Sequence, residues 1–88
     1  MGKYTILLVD DDTFVLNGLG KYLTRKGYDV ETAGSGEEAL KLLEKRRFHM
    51  VITDLAMEKV DGISVLKKAK ECDSETMVII LTGYGDLS

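Results

Sequence analysis

Cysteine and histidine are nearly missing from these 88 residues, with one of each, Cys72 and His49. A lone thiol excludes an internal disulfide and a Cys-rich zinc site, so a reducing cytoplasm is the expected compartment. Cys72 itself reads as an inert thiol late in a helix. No run approaches the ~20 apolar residues of a membrane span, and the N-terminus lacks the apolar core of a signal peptide. Ile6 stands where a myristoylation pattern needs Ser or Thr. An excess of one charge is missing too. Twelve Lys and Arg against 15 Asp and Glu leave a net charge of -3, which points to neither nucleic acid nor an anionic membrane as partner. Repeats, linkers and low-complexity stretches are also absent. The whole chain, 1–88, reads as one domain, and one this short hides only about 60–65% of the surface its unfolded form exposes.

What the sequence does contain is organised around Ile6-Leu7-Leu8-Val9-Asp10-Asp11-Asp12. A short aliphatic run bounded by polar residues predicts a strand buried on both faces. Its acids then sit just past its carboxyl end, where open α/β sheets place their ligands. Adjacent carboxylates repel one another and gain nothing from burial, so a cation or a hydrogen-bond network is expected to hold them. Asp12 alone reads equally well as the cap of the next helix.

Thr13 to Lys26 carries Val15, Leu16, Leu19, Tyr22 and Leu23 at helical spacing, closed by Gly27 where a left-handed cap belongs. Gly18 and Gly20 each cost about 1 kcal/mol there relative to Ala, and close packing on the sheet is the expected compensation. Tyr28 to Ala33 alternates with acids, the mark of a strand at the sheet margin. Ser35 and Glu38 have capping-box spacing and open a second helix that runs to Arg46 or Arg47.

Phe48 to Thr53 is a third strand that contains His49 and stops at Asp54. His49 has no ligand partners nearby and reads as structural or half-exposed. A loop from Leu55 to Asp61 leads to Gly62 and a third helix, with Lys67, Lys68, Lys70 and Glu71 as its solvated face. The last strand, Met77 to Leu81, is apolar throughout and is followed by Thr82-Gly83-Tyr84-Gly85. Strand and helix alternate from end to end, which predicts a parallel sheet with right-handed crossovers.

With the alternating second strand at an edge, the strand order is 2-1-3-4, and the switch point lies between strands 1 and 3. Asp10 and Asp11 then converge with Asp54, and Thr82 adds a hydroxyl on the rim. An all-oxygen cluster suits a hard cation such as Mg2+. Two kinds of chemistry fit it: a metal that polarises a bound substrate, or an aspartate that itself attacks a phosphoryl group.

Leu8-Val9-Asp10-Asp11-Asp12, Asp54-Leu55-Ala56-Met57 with Asp61-Gly62, and Ile80-Leu81-Thr82-Gly83-Tyr84-Gly85 together resemble the receiver domain of bacterial two-component response regulators. The likeness runs from Thr5 onward. It implies a flavodoxin-like (CheY-like) fold that accepts a phosphoryl group from a histidine kinase or a histidine phosphotransfer protein. By the same resemblance, Asp54 is the phospho-acceptor. Asp11, Asp54 and the Ala56 carbonyl hold Mg2+, with Asp10 acting largely through water. Thr82 binds a phosphoryl oxygen and shifts toward it, and Gly83 leaves room for the phosphodonor. Glu58 replaces the Pro that many receivers have after Met57. Such a domain is a signalling module rather than an enzyme.

Receivers continue past the threonine with a fourth helix, a fifth strand bearing a site lysine, and a fifth helix. These 88 residues end before those elements, so a cut from a longer protein is expected. Neither Lys59 nor Lys67 ends a strand, so the general-acid lysine is assigned to no residue here. A fourth strand with a free apolar edge predicts self-association through Met77 to Leu81, most simply as a dimer.

Three other readings compete. Gly34-x-Gly36-x-x-Ala39 has the spacing of a dinucleotide loop, but Glu37 and Glu38 would face the pyrophosphate. A metal-dependent phosphohydrolase usually has a second acid two residues after its nucleophile, and Ala56 stands there. The alternative with most weight is a receiver-like interaction or dimerisation module that is never phosphorylated.

Overall fold

The computed structural model describes residues 3–82. Its elements follow the expected alternation: β1 (Thr5–Val9), α1 (Thr13–Arg25), β2 (Asp29–Ala33), α2 (Gly36–Lys45), β3 (Met50–Asp54), α3 (Gly62–Cys72) and β4 (Met77–Leu81). The strands form one sheet in the order β2-β1-β3-β4, with all three pairings parallel. The predicted order therefore holds, with the alternating strand at one edge.

Two rows of β1 side chains divide the core between the sheet's faces. Leu7 and Val9 join Val51 beneath α2 and α3, against Ala39, Leu43, Val65 and Ala69. Ile6 and Leu8 join Ile52 on the other side, where Leu16 of α1 covers them. Burial on both faces is what the uninterrupted aliphatic sequence of β1 demanded.

Local signals set the helix ends. Asp12 caps α1 by accepting the Phe14 N–H at 2.9 Å, and Gly27 adopts φ 102° beyond its end. The Ser35 hydroxyl accepts the Glu38 N–H at 3.1 Å, while the Glu38 carboxylate reaches the Gly34 N–H at 2.8 Å. The box thus closes one residue earlier than the standard pattern. Asp61 caps α3 through the Ser64 N–H at 2.9 Å.

Several expectations need correction. His49 lies one residue ahead of β3, although its N–H still donates to the Thr5 carbonyl at 3.0 Å. Its exposed ring stacks on Tyr4, and its Nδ1 accepts the Thr5 N–H at 2.9 Å. α2 stops at Lys45, because Arg46 turns extended. The third helix's lysines are not simply solvated. Lys68 pairs with Glu44 of α2 at 3.0 Å, and Lys70 donates to the Thr76 carbonyl that leads into β4. The two glycines of α1 also differ. A Cβ on Gly20 would make ordinary contact with Thr32 at 3.6 Å, whereas one on Gly18 would meet nothing. Gly20 lies against the sheet as expected, but close packing excludes a methyl group at neither position.

Candidate cation site at the strand ends

The site forms where β1 and β3 finish side by side. Val9 is paired with Thr53, which leaves Asp10 just beyond one strand and Asp54 as the last residue of the other. One carboxylate oxygen each from Asp10, Asp11 and Asp54 lies within 4.8 Å of the other two. These three residues are the sequence's principal cation candidates, and the topology alone brings them together.

Their surroundings differ. Asp10 is 8% exposed. Its N–H donates to the Ala33 carbonyl at 3.1 Å, and its Oδ1 accepts the Asp12 N–H at 2.9 Å. Burial pushes its carboxyl above the usual aspartate range; the Asp12 N–H opposes this, and the carboxylates of Asp54, Asp11 and Asp12 add to it. Asp11 is exposed and Asp54 half-buried. Among the described residues no ammonium or guanidinium pairs with any of the three. Among the described residues the negative charge therefore has no counterion.

A hard dication fits this donor set. At ~2.1 Å from each ligand, oxygens on opposite sides of an ion stand ~4.2 Å apart, so small side-chain shifts would let all three carboxylates share one. No nitrogen or sulfur donor is present to favour a softer metal. Nothing in the set offers a second acid two residues after Asp54, since Ala56 is there.

The neighbouring elements fix Asp54 closely. Leu55 donates its N–H to the Leu81 carbonyl at 2.9 Å, and Gly62 donates to the Leu55 carbonyl at 2.9 Å. A Cβ on Gly62 would collide with the Asp54 carbonyl oxygen, which explains the glycine after Asp61. Thr82 is exposed and directly follows Leu81, the residue opposite Asp54. Gly83 lies outside the described residues. Gly36, part of the dinucleotide-like spacing, has a structural reason of its own: a Cβ there would strike the Val60 carbonyl.

Sequence reasoning placed the loop between β3 and α3 but missed its backbone conformation. Lys59 has φ 65°, and no periodicity marks such a residue in advance. The Asp61-Gly62 pair was the available signal that this loop is tightly held.

Comparison with known proteins agrees with this architecture. Residues 6–88 match the family model described as the response regulator receiver domain. The transcriptional regulatory protein GlrR of Escherichia coli (strain K12) is 42% identical over 82 residues, covering 93% of this chain but only 18% of that protein. A CheY-like receiver domain protein from Methanospirillum hungatei superposes with a TM-score of 0.90 at 32% identity, over 98% of this chain and 69% of that one. The response regulator protein TrrA from Thermotoga maritima, solved in complex with Mg2+-BeF, gives 0.83 at 33% identity over 94% of this chain and 76% of its own. By sequence, by strand order and by the acids at its strand ends, this chain belongs to the response regulator receiver domain family.

Proposed function

We propose that this domain accepts a phosphoryl group on Asp54 in a Mg2+-dependent reaction. The donor is a histidine kinase or a histidine phosphotransfer protein, in cytoplasmic two-component signalling. The observation that carries the reading is the approach of Asp10, Asp11 and Asp54 to within 4.8 Å at the carboxyl ends of β1 and β3. It is supported by the Mg2+-BeF complex of the Thermotoga relative.

In this reading an Asp54 carboxylate oxygen attacks phosphorus. The new P–O bond forms as the P–N bond to the donor imidazole breaks, and the imidazole keeps the electron pair and takes up a proton. Asp11, Asp54 and the Ala56 carbonyl would hold the metal, with Asp10 acting largely through water. When bound, Mg2+ would supply positive charge to offset that on the transferred group. Burial disfavours the charged form of Asp10, and a nearby cation would favour it. Thr82 supplies a hydroxyl for a phosphoryl oxygen. Its place after β4 makes it the link between phosphorylation and a rearrangement of the chain beyond. The domain is a phospho-acceptor rather than an enzyme, and no described helix is long and apolar enough to cross a membrane.

Intact-mass measurement after acetyl phosphate and Mg2+ tests this. A single phosphoryl adduct is expected, lost in Asp54→Ala and on chelation. No adduct under any of these conditions would favour the unphosphorylated interaction module instead.

For the 88-residue polypeptide we also propose self-association through β4. Met77, Ile79 and Leu81 are 54, 38 and 39% exposed, and among the described residues no strand pairs with the far edge of β4. An open apolar edge recruits another. Sedimentation is expected to depend on concentration; a monomer at all concentrations refutes the interface.

A further inference from the structure

Among the described residues, Lys59 is the one non-glycine with a positive φ, 65°. The left-handed region is uncommon for a residue that carries a Cβ. The Val60 N–H donates to the Glu58 carbonyl at 2.7 Å, closing a three-residue turn with Lys59 at its centre. A positive central φ makes this the rarer and more strained form of γ-turn.

Such strain persists only where the surroundings over-determine it, and it tends to collect at functional sites. Here the surroundings are on both flanks of the turn. Ahead of it, the Leu55 N–H is tied to the Leu81 carbonyl at 2.9 Å. Behind it, Val60 lies so close to Gly36 that a Cβ there would come within 2.7 Å of its side chain. Gly62 lies so close to the end of β3 that a Cβ there would collide with the Asp54 carbonyl oxygen and come within 2.9 Å of the Leu55 Cα. The loop is therefore clamped on the residue that closes the cation cluster, and Ala56 lies inside it.

We propose that the left-handed turn at Lys59 positions the cation site: it fixes the course of residues 55–61, and the population of this turn sets the affinity for Mg2+. The inference rests on the metal-binding role proposed above. Lys59 acts through its backbone and is a positioning residue, not a ligand. Its ammonium is a separate influence, because Lys59 lines a cleft of 210 Å3 together with Asp11, Glu37 and Glu58. A test must therefore hold charge constant.

Lys59→Ala serves as the reference, Lys59→Gly removes the steric penalty of a positive φ, and Lys59→Val increases it. Mg2+ titrations followed by the backbone amide signals of Asp11 and Ala56 are expected to give the tightest binding for Gly and the weakest for Val. Apparent affinity scales with the competent fraction, so a difference of at least about threefold is expected between those two. If the turn serves the fold alone, melting temperatures will follow that order while the dissociation constants of the folded proteins coincide; that result overturns the proposal. Should Val prevent folding, the Gly and Ala variants decide by themselves, and equal affinities overturn it.

If the unsubstituted chain binds no Mg2+, the metal-binding role fails. Amide exchange in metal-free protein then still reads the positioning claim. The Gly62 N–H, bonded to Leu55, is expected to be best protected in Lys59→Gly and least in Lys59→Val, and equal protection refutes it.

Discussion

In β1, Ile6, Leu7, Leu8 and Val9 are each 2% exposed or less, whereas in β4 Met77, Ile79 and Leu81 are 54, 38 and 39% exposed. Both strands are aliphatic. The difference lies in how many layers cover them. Beneath α2 and α3 the core extends out to Val78 of β4. On the opposite face α1 covers β1 and Ile52 of β3, and the row Met77, Ile79, Leu81 lies beyond its reach. An all-apolar strand sequence therefore records the sheet environment in which a strand is stable, not the number of faces already covered.

The largest expected effect breaks that comparison directly. Leu7→Ala removes a side chain with no exposed surface and should cost about 2–5 kcal/mol. Ile79→Ala, half open to solvent, should cost under about 1 kcal/mol. Urea unfolding of both variants at one protein concentration measures the gap. Equal losses would mean that the α1 side of β4 is covered in solution, as a self-associated state would cover it, and the concentration dependence of the Ile79→Ala loss would then expose it.

A second contrast lies where the strands finish: β1 leads into a buried acid, Asp10, and β4 into the exposed Thr82. Because burial raises the Asp10 carboxyl above its ordinary value of 3.8, the folded state holds that proton more tightly than the unfolded chain. The group's contribution is most favourable at low pH and is lost as pH rises through the raised value. Asp10→Asn keeps an oxygen to accept the Asp12 N–H and removes the charge. In chelator, the variant should therefore be more stable than the parent at about pH 7, with the advantage shrinking toward about pH 4. Melting temperatures across that range measure it, and a constant difference would remove burial as the cause. The predicted effect is smaller than that of Leu7→Ala and reverses for Mg2+ affinity, which the substitution should weaken.

Much of this arrangement was legible in the residues. Alternating patterns gave the element order, and the acid-interrupted Tyr28 to Ala33 marked the edge strand. Together they locate Asp10, Asp11 and Asp54 at one crevice. What remained hidden depends on contacts between residues far apart in the chain. The meeting of Gly36 with Val60 leaves no period in either segment. Lys68 reads as a solvated lysine until Glu44 is known to lie opposite it. The positive φ of Lys59 is imposed from both flanks of its loop and is encoded in neither Gly nor Asn at that position. The start of β3 shifted from Phe48 to Met50 because pairing with β1 begins at Ile6 and Met50.

The smallest effect sharpens the comparison from the sparsely covered side. α1 is the helix on that face, and it carries two glycines with different surroundings. Gly18 is exposed and a Cβ there would meet no atom within 4 Å, so its helix-breaking cost is offset by nothing inside the described residues. Gly18→Ala should stabilise the protein by about 0.5–1 kcal/mol through backbone entropy and helix propensity. Gly20→Ala gains the same propensity but places its methyl 3.6 Å from Thr32 and 4.0 Å from Leu8. It should therefore differ from Gly18→Ala only by what that contact adds or removes. Thermal unfolding of the two variants isolates this difference. A Gly18→Ala protein no more stable than its parent would mean that a neighbour absent from the monomer already occupies that face of α1.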